Sequence, residues 1–197
     1  MPFQSNHVPP PTGLSTEAFS LRPITADDAE IDHAAVMESK DYLRVWEQTG
    51  WPEDGFTIEA NRQDLVGLEQ RHSAGTAFTY TVLDPTGATC LGCVYVMPHD
   101  ATFLAKAEIT PLGPDSWEDV DAAVYFWVRR SSLAAGTDRA LLDALRTWFA
   151  QEWELARHVV VTHEELSQQV ELIESSDLEQ RFHIVEPGKP GRYLAYG

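Results

Sequence analysis

Residues 124–149, VYFWVRRSSLAAGTDRALLDALRTWF, constrain this chain more than any other stretch. Val124, Phe126 and Val128 alternate with Tyr125, Trp127 and Arg129, the period of two that a strand requires. From Asp138 the period changes. Leu141, Leu145, Trp148 and Phe149 fall at i, i+4, i+7 and i+8, one face of a helix. Between the two lies a short polar turn holding Gly136. A strand feeding a helix through a glycine turn is a place where a helix N-terminus can meet an anion.

The rest of the pattern supplies more strands and helices. Residues 18–24 read as a short strand, and 28–38 as a helix capped by Thr25 or Asp27, with Ile31, Ala34 and Ala35 inward. Residues 40–56 read as aromatic and irregular, and Thr57 as the N-cap of a second helix that buries Leu65 and Leu68. Phe78, Tyr80 and Val82 mark a half-buried strand. Asp84-Pro85-Thr86-Gly87 then turns the chain into a second strand, from about Ala88 to Met97. Residues 98–120 read as a long connection, the kind that is functional or mobile. After the central strand and helix come a buried strand at 157–163, a helix face at Leu166, Val170 and Ile173, and a hairpin of RFHIVE and RYLAY around PGKPG. The order β–α–α–β–β–β–α–β–α–β–β predicts an α/β fold with one mixed sheet. The Pro-rich residues 1–18 read as a flexible N-terminal tail, and 19–197 as one domain.

Charge narrows the partners. Against 31 Asp and Glu stand 14 Lys and Arg, a formal net charge of −17. Nucleic-acid binding runs on phosphate neutralisation by basic side chains, so it is disfavoured, as are anionic membrane surfaces. The first residues show neither a basic nor an apolar leader region, and no apolar run reaches membrane length, so the expected location is the cytoplasm. Cys90 and Cys93 form a lone CxxC inside the strand-like TCLGCVYVM. Residues three apart on a strand point to opposite faces, so this pair reads as two buried, unpaired cysteines and no metal is expected.

Element order, together with Val128, Gly136 and the Leu141-Leu142 pair at matching spacing, resembles the GNAT acetyltransferase superfamily from about Phe19 to the C-terminus. That resemblance implies a GNAT-like acyl-CoA N-acyltransferase fold and an activity that moves acetyl, or another acyl group, from acetyl-CoA to a primary amine of a small molecule or peptide. Family members hold the pyrophosphate on a Gln/Arg-x-x-Gly-x-Gly/Ala loop. Here the loop is Leu133-Ala134-Ala135-Gly136-Thr137-Asp138, which keeps one of the three defining residues. Asp138 places a carboxylate where the helix dipole would otherwise favour phosphate. Four arginines gather nearby, at 129, 130, 139 and 146. The resemblance therefore assigns cofactor binding to Val128, Arg129, Arg130, Gly136, Thr137 and Arg139, with the arginines replacing lost loop contacts and a backbone N–H near Val128 as oxyanion donor.

The tyrosine that serves many members as acid is replaced by Ile173. His163, at the end of its strand, is the substitute, with Tyr125 second. Asp121, leading into the central strand, is the candidate base. Trp46, Trp51 and Phe56 would line an acceptor pocket able to hold a cation against aromatic faces. Two rival readings stand beside this one. In the first, a non-catalytic GNAT-like module has lost the loop and the acid; in the second, the chain is a homodimeric interaction protein.

Overall fold

The computed structural model describes residues 10–153 and 155–197. Its strands in chain order are β1 (Leu14–Ser15), β2 (Ser20–Pro23), β3 (Phe78–Leu83), β4 (Cys90–Met97), β5 (Glu108–Pro111), β6 (Ala122–Val128), β7 (His158–His163), β8 (Gln180–Val185) and β9 (Tyr193–Tyr196). They form one sheet in the order β1-β2-β3-β4-β6-β7-β9-β8-β5. Only β6 and β7 run parallel, and the remaining pairs are antiparallel. The helices are α1 (Ala29–Glu38), α2 (Lys40–Glu47), α3 (Ile58–Ser73), α4 (Arg130–Leu133), α5 (Thr137–Trp148) and α6 (Ser167–Glu174).

The central strand sorts its side chains as the alternation requires. Val124, Phe126 and Val128 face a core made with Leu141, Leu142, Leu145 and Trp148 of α5 and Ile173 of α6. Ala123, Tyr125 and Trp127 face the other way, onto Ala35, Val36, Leu43, Trp46 and Leu65 of α1, α2 and α3. Helices therefore cover both faces, and every residue of β6 is buried. The β3–β4 hairpin forms as expected. Strand β3 is buried throughout, where the sequence suggests a half-exposed strand.

Four expectations are corrected. Residues 40–47 are helical: Leu43 and Trp46, at i and i+3, are buried, and the crowd of aromatics hides that period from a linear reading. The connection 98–120 contains β5, which pairs with β8 at the sheet edge. Its four residues are too few, and too near Pro111 and Pro114, to signal a strand. Order also begins before Phe19, since Leu14 and Ser15 pair with Leu21 and Ser20, and the Tyr80 hydroxyl donates to the Pro11 carbonyl at 2.8 Å. The start of the expected tail, residues 1–9, lies outside the described residues. In α1, Ala34 is exposed and Asp32 is buried, the reverse of what hydrophobicity suggests.

Candidate active site

A cavity of about 660 Å³ opens on the face covered by α2 and α3. Aromatic side chains form its inner wall: Trp46 from α2, Tyr95 from β4, Tyr125 from β6 and Tyr193 from β9. Their rings meet at 5.7 Å for Trp46 and Tyr95, 6.2 Å for Trp46 and Tyr125, and 6.3 Å for Tyr125 and Tyr193. Charged groups sit among them. Lys189 bonds Glu186 at 3.0 Å, Glu47 at 3.4 Å and the Tyr193 hydroxyl at 3.2 Å. Burial pushes the Glu47 carboxyl up in pKa, and Lys189 offsets this only in part. Asp64 is likewise raised by burial.

Two donors on this wall have no hydrogen-bond partner, the Trp46 indole Nε1 and the Tyr125 hydroxyl. A buried polar group left unpaired costs about 1–3 kcal/mol. A ligand acceptor placed here would recover that cost. Burial also raises the Tyr125 pKa, so the phenol keeps its proton at neutral pH and remains a donor.

Beside the cavity the two parallel strands separate. Residues 122–124 of β6 pair with 158–160 of β7, and pairing stops at Val124 and Val160. The Arg129 N–H donates to Leu91 on the β4 side at 2.7 Å, so alternation turns the Val128 N–H toward the opposite edge, into the gap. The Phe126 carbonyl faces the same gap. It accepts from Gln169 Nε2 at 2.9 Å, while Gln169 Oε1 accepts from Tyr42 at 2.8 Å and Thr162 at 2.6 Å. A buried side-chain amide thus bridges the opening between the strands.

The loop after β6 is tighter than an open anion cradle. Arg130–Leu133 form a helical turn, and the Ala135 and Gly136 N–H groups donate back to Ser132 and Leu133. Gly136, at φ +72° and ψ +23°, is the N-cap of α5, a left-handed position that glycine occupies without steric penalty. Thr137 is the first helical residue. Glu38, at the end of α1, reaches across to this turn. Its carboxylate accepts from Arg129 Nε at 2.6 Å and from the Ser131 N–H at 2.8 Å. Those bonds, the Arg129 one foremost, pull its pKa down to about 2. Arg139 donates to the Ser175 hydroxyl, and buried Asp138 accepts from Gln168. Arg130 is exposed.

The structure brings some of the predicted site residues together and separates others. Trp46, Trp51 and Tyr125 line the cavity. Phe56 stands behind Trp51, at 5.7 Å, and stacks on His33. His163 is buried and packs edge-on to Tyr193 at 5.4 Å. Burial lowers its pKa, which keeps the imidazole neutral and makes it a poor acid. Asp121 lies at the start of β6, accepting from the Arg157 N–H at 2.9 Å and its guanidinium at 3.3 Å. Neither His163 nor Asp121 lines the cavity. Sequence reasoning missed Glu47, Tyr95, Glu186, Lys189 and Tyr193. Only Tyr95 and Tyr193 left a signal, as tyrosines at fixed positions within strand-like runs.

No protein-family model matches the chain, and no curated protein matches it in sequence. Solved structures do. A ribosomal-protein-S5-alanine acetyltransferase from Vibrio fischeri superposes with a TM-score of 0.67 at 16% identity, covering 94% of this chain and 95% of that one. The microcin C7 self-immunity acetyltransferase MccE, in complex with acetyl-CoA and AMP, gives 0.69 at 11% identity, with 95% and 96% covered. RimL, a ribosomal L7/L12 alpha-N-protein acetyltransferase in complex with coenzyme A, gives 0.66 at 18%, with 94% of each chain covered. The chain has the GNAT acetyltransferase fold.

Proposed function

We propose that this chain is an acyl-CoA-dependent N-acyltransferase that moves acetyl from acetyl-CoA to a primary amine. The observation that carries the reading is the separation of β6 from β7 beside an aromatic, acid-lined cavity, in a fold shared end to end with acetyltransferases. Parallel strands that part leave backbone donors and acceptors facing a slot. The amides of an extended acyl-CoA arm are complementary to such an edge.

Each step then has a group to serve it. The amine nitrogen attacks the thioester carbonyl, an N–C bond forms, and negative charge gathers on the carbonyl oxygen. The Val128 N–H is the donor for that oxygen. As the C–S bond breaks, the Tyr125 hydroxyl protonates the leaving sulfur, a role its unpartnered and protonated state suits. Glu47, raised by burial, takes the proton lost by the amine. Asp121 and His163 are set aside because neither lines the cavity. Arg129, Arg130 and Arg139, with the Gly136–Thr137 turn, are the groups proposed to meet the phosphates.

The acceptor is a cationic amine. Glu47, Asp64 and Glu186 outnumber Lys189 and Arg71 in the cavity lining, Trp46 and Trp51 offer ring faces, and the whole chain carries −17. The name of RimL, an alpha-N-protein acetyltransferase, points to a protein or peptide α-amine. One observation favours the rival non-catalytic module: Glu38 already occupies the Arg129 and Ser131 donors that phosphate would need. Calorimetric titration of acetyl-CoA, followed by thiol release against peptides and small amines, separates the two. Micromolar binding with turnover is expected. Absence of binding at millimolar acetyl-CoA would sink the enzyme reading, and binding without turnover would leave the module.

A further inference from the structure

Cys90 and Cys93 do not behave as an ordinary strand pair. In the β3–β4 ladder Val82 pairs with Gly92 and Leu83 with Cys90, so Leu91 is an extra residue opposite a single step. A bulge of this kind inverts the side-chain alternation beyond it. Leu91 joins the α5 side of the sheet, and both cysteines point to the α1 side. There they meet Asp32 of α1. Its Oδ1 lies 3.3 Å from Cys93 Sγ and 3.8 Å from Cys90 Sγ, and the three groups lie within 4.8 Å of one another.

We propose that Asp32, Cys90 and Cys93 form a structural site for a thiophilic divalent cation, zinc, away from the cavity. Spacing supports this. Zinc–sulfur bonds of about 2.3 Å and zinc–oxygen bonds of about 2.0 Å, at tetrahedral angles, hold sulfur and oxygen about 3.5 Å apart. The two observed separations bracket that value. All three side chains are buried, and among the described residues no basic side chain pairs with Asp32. A buried carboxylate without a cation is expensive, whereas a metal coordinated by it and two thiolates removes the cost.

The surrounding bonds are those that orient ligands. Asn61 Nδ2 donates to Asp32 Oδ2 at 2.9 Å and to the Ala29 carbonyl at 3.1 Å, which aims Oδ1 at the sulfurs. The Thr81 hydroxyl points its proton at Cys90 Sγ from 3.7 Å, a contact that favours thiolate. The Gly92 carbonyl oxygen, 3.4 Å from Cys90 Sγ, is placed to complete the coordination. Binding replaces two S–H bonds with two Zn–S bonds and releases both protons to water, while Asp32 Oδ1 and the Gly92 carbonyl oxygen form two Zn–O bonds. The site would clamp α1 onto β4, and the cation would enter as the chain folds.

The full chain, purified without chelator, should carry about one zinc per molecule by elemental analysis. After refolding with cobalt(II) it should show thiolate-to-cobalt charge-transfer absorption. Zinc should raise the melting temperature relative to chelator-treated protein. Cys93→Ser and Asp32→Asn should lower zinc affinity at least about tenfold, the usual penalty for a lost ligand or its support. Zinc below a tenth of an equivalent, with no cobalt band in folded wild-type protein, overturns the proposal even if the variants fail to fold. So does a Cys93→Ser variant that folds, by circular dichroism, and keeps its metal.

Discussion

Glu38 and Tyr125 show how single side chains set the chemistry available here. Glu38 holds Arg129 and the Ser131 N–H, two of the groups an acyl-CoA phosphate would need. Replacing it with Gln removes the competing charge, so acetyl-CoA should bind several-fold more tightly to Glu38→Gln in calorimetry; unchanged or weaker binding counts against phosphate at this turn. The same carboxylate gives a signed pH effect. Its pKa in the folded chain is about 2, below the ordinary 4.5. Its stabilising contribution is therefore present above pH 4.5 and fades as pH falls toward 2. The pair is partly exposed, so the contribution is at most about 1 kcal/mol. Melting of wild type and Glu38→Gln should differ at pH 7 and converge only as pH falls to about 2. Tyr125→Phe tests the proton donor. Because the hydroxyl has no partner to lose, and leaving it buried and unpaired is itself a cost, melting should be unchanged or higher while turnover falls by about 10²-fold or more.

At the scale of elements, β4 tolerates little change at Gly92. Gly92 has φ +152°, and a Cβ there would lie 2.0 Å from the Trp127 carbonyl oxygen on β6. Gly92→Ala should destabilise by about 2–3 kcal/mol through backbone strain alone, with separation of β4 from β6 as a further cost. A urea midpoint within error of wild type would refute this. Leu145→Ala, in the α5 face, should cost about 2–5 kcal/mol by the same measurement. Much of this level was legible in the sequence. The alternation in 124–128 and the helical face from Leu141 to Phe149 identify β6 and α5 because each has one dominant period. The bulge at Leu91 was not legible, since one inserted residue leaves no mark in composition, and a strict period of two sends Cys90 and Cys93 to opposite faces. Helix α2 was hidden for a different reason: its buried positions are few, and the charged and aromatic residues around them carry no clear period.

Across the whole molecule, fold and site differ in how far they can be read from residues. Element order fixes the sheet because hairpins and crossovers leave few topologies. The cavity is assembled from α2, β4, β6 and β9, segments far apart in sequence, so Glu47 and Lys189 gain meaning only when they are 3.4 Å apart. The sheet's outer strands are short, two residues in β1 and four in β5, which leaves little unpaired backbone to recruit another chain. A chain starting at Phe19 would lose β1 and the Tyr80–Pro11 bond. It should melt several degrees lower yet keep its secondary structure by circular dichroism.

Gln169 has a thermodynamic consequence for anything that enters between β6 and β7. The Phe126 carbonyl is already satisfied by this amide, which in turn answers Tyr42 and Thr162. An arriving ligand therefore trades hydrogen bonds one for one, and gains little enthalpy from that edge until the glutamine has moved aside. Occupancy of the slot becomes an exchange equilibrium, with an internal side chain as the resident competitor and Gln169→Ala as the change that removes it.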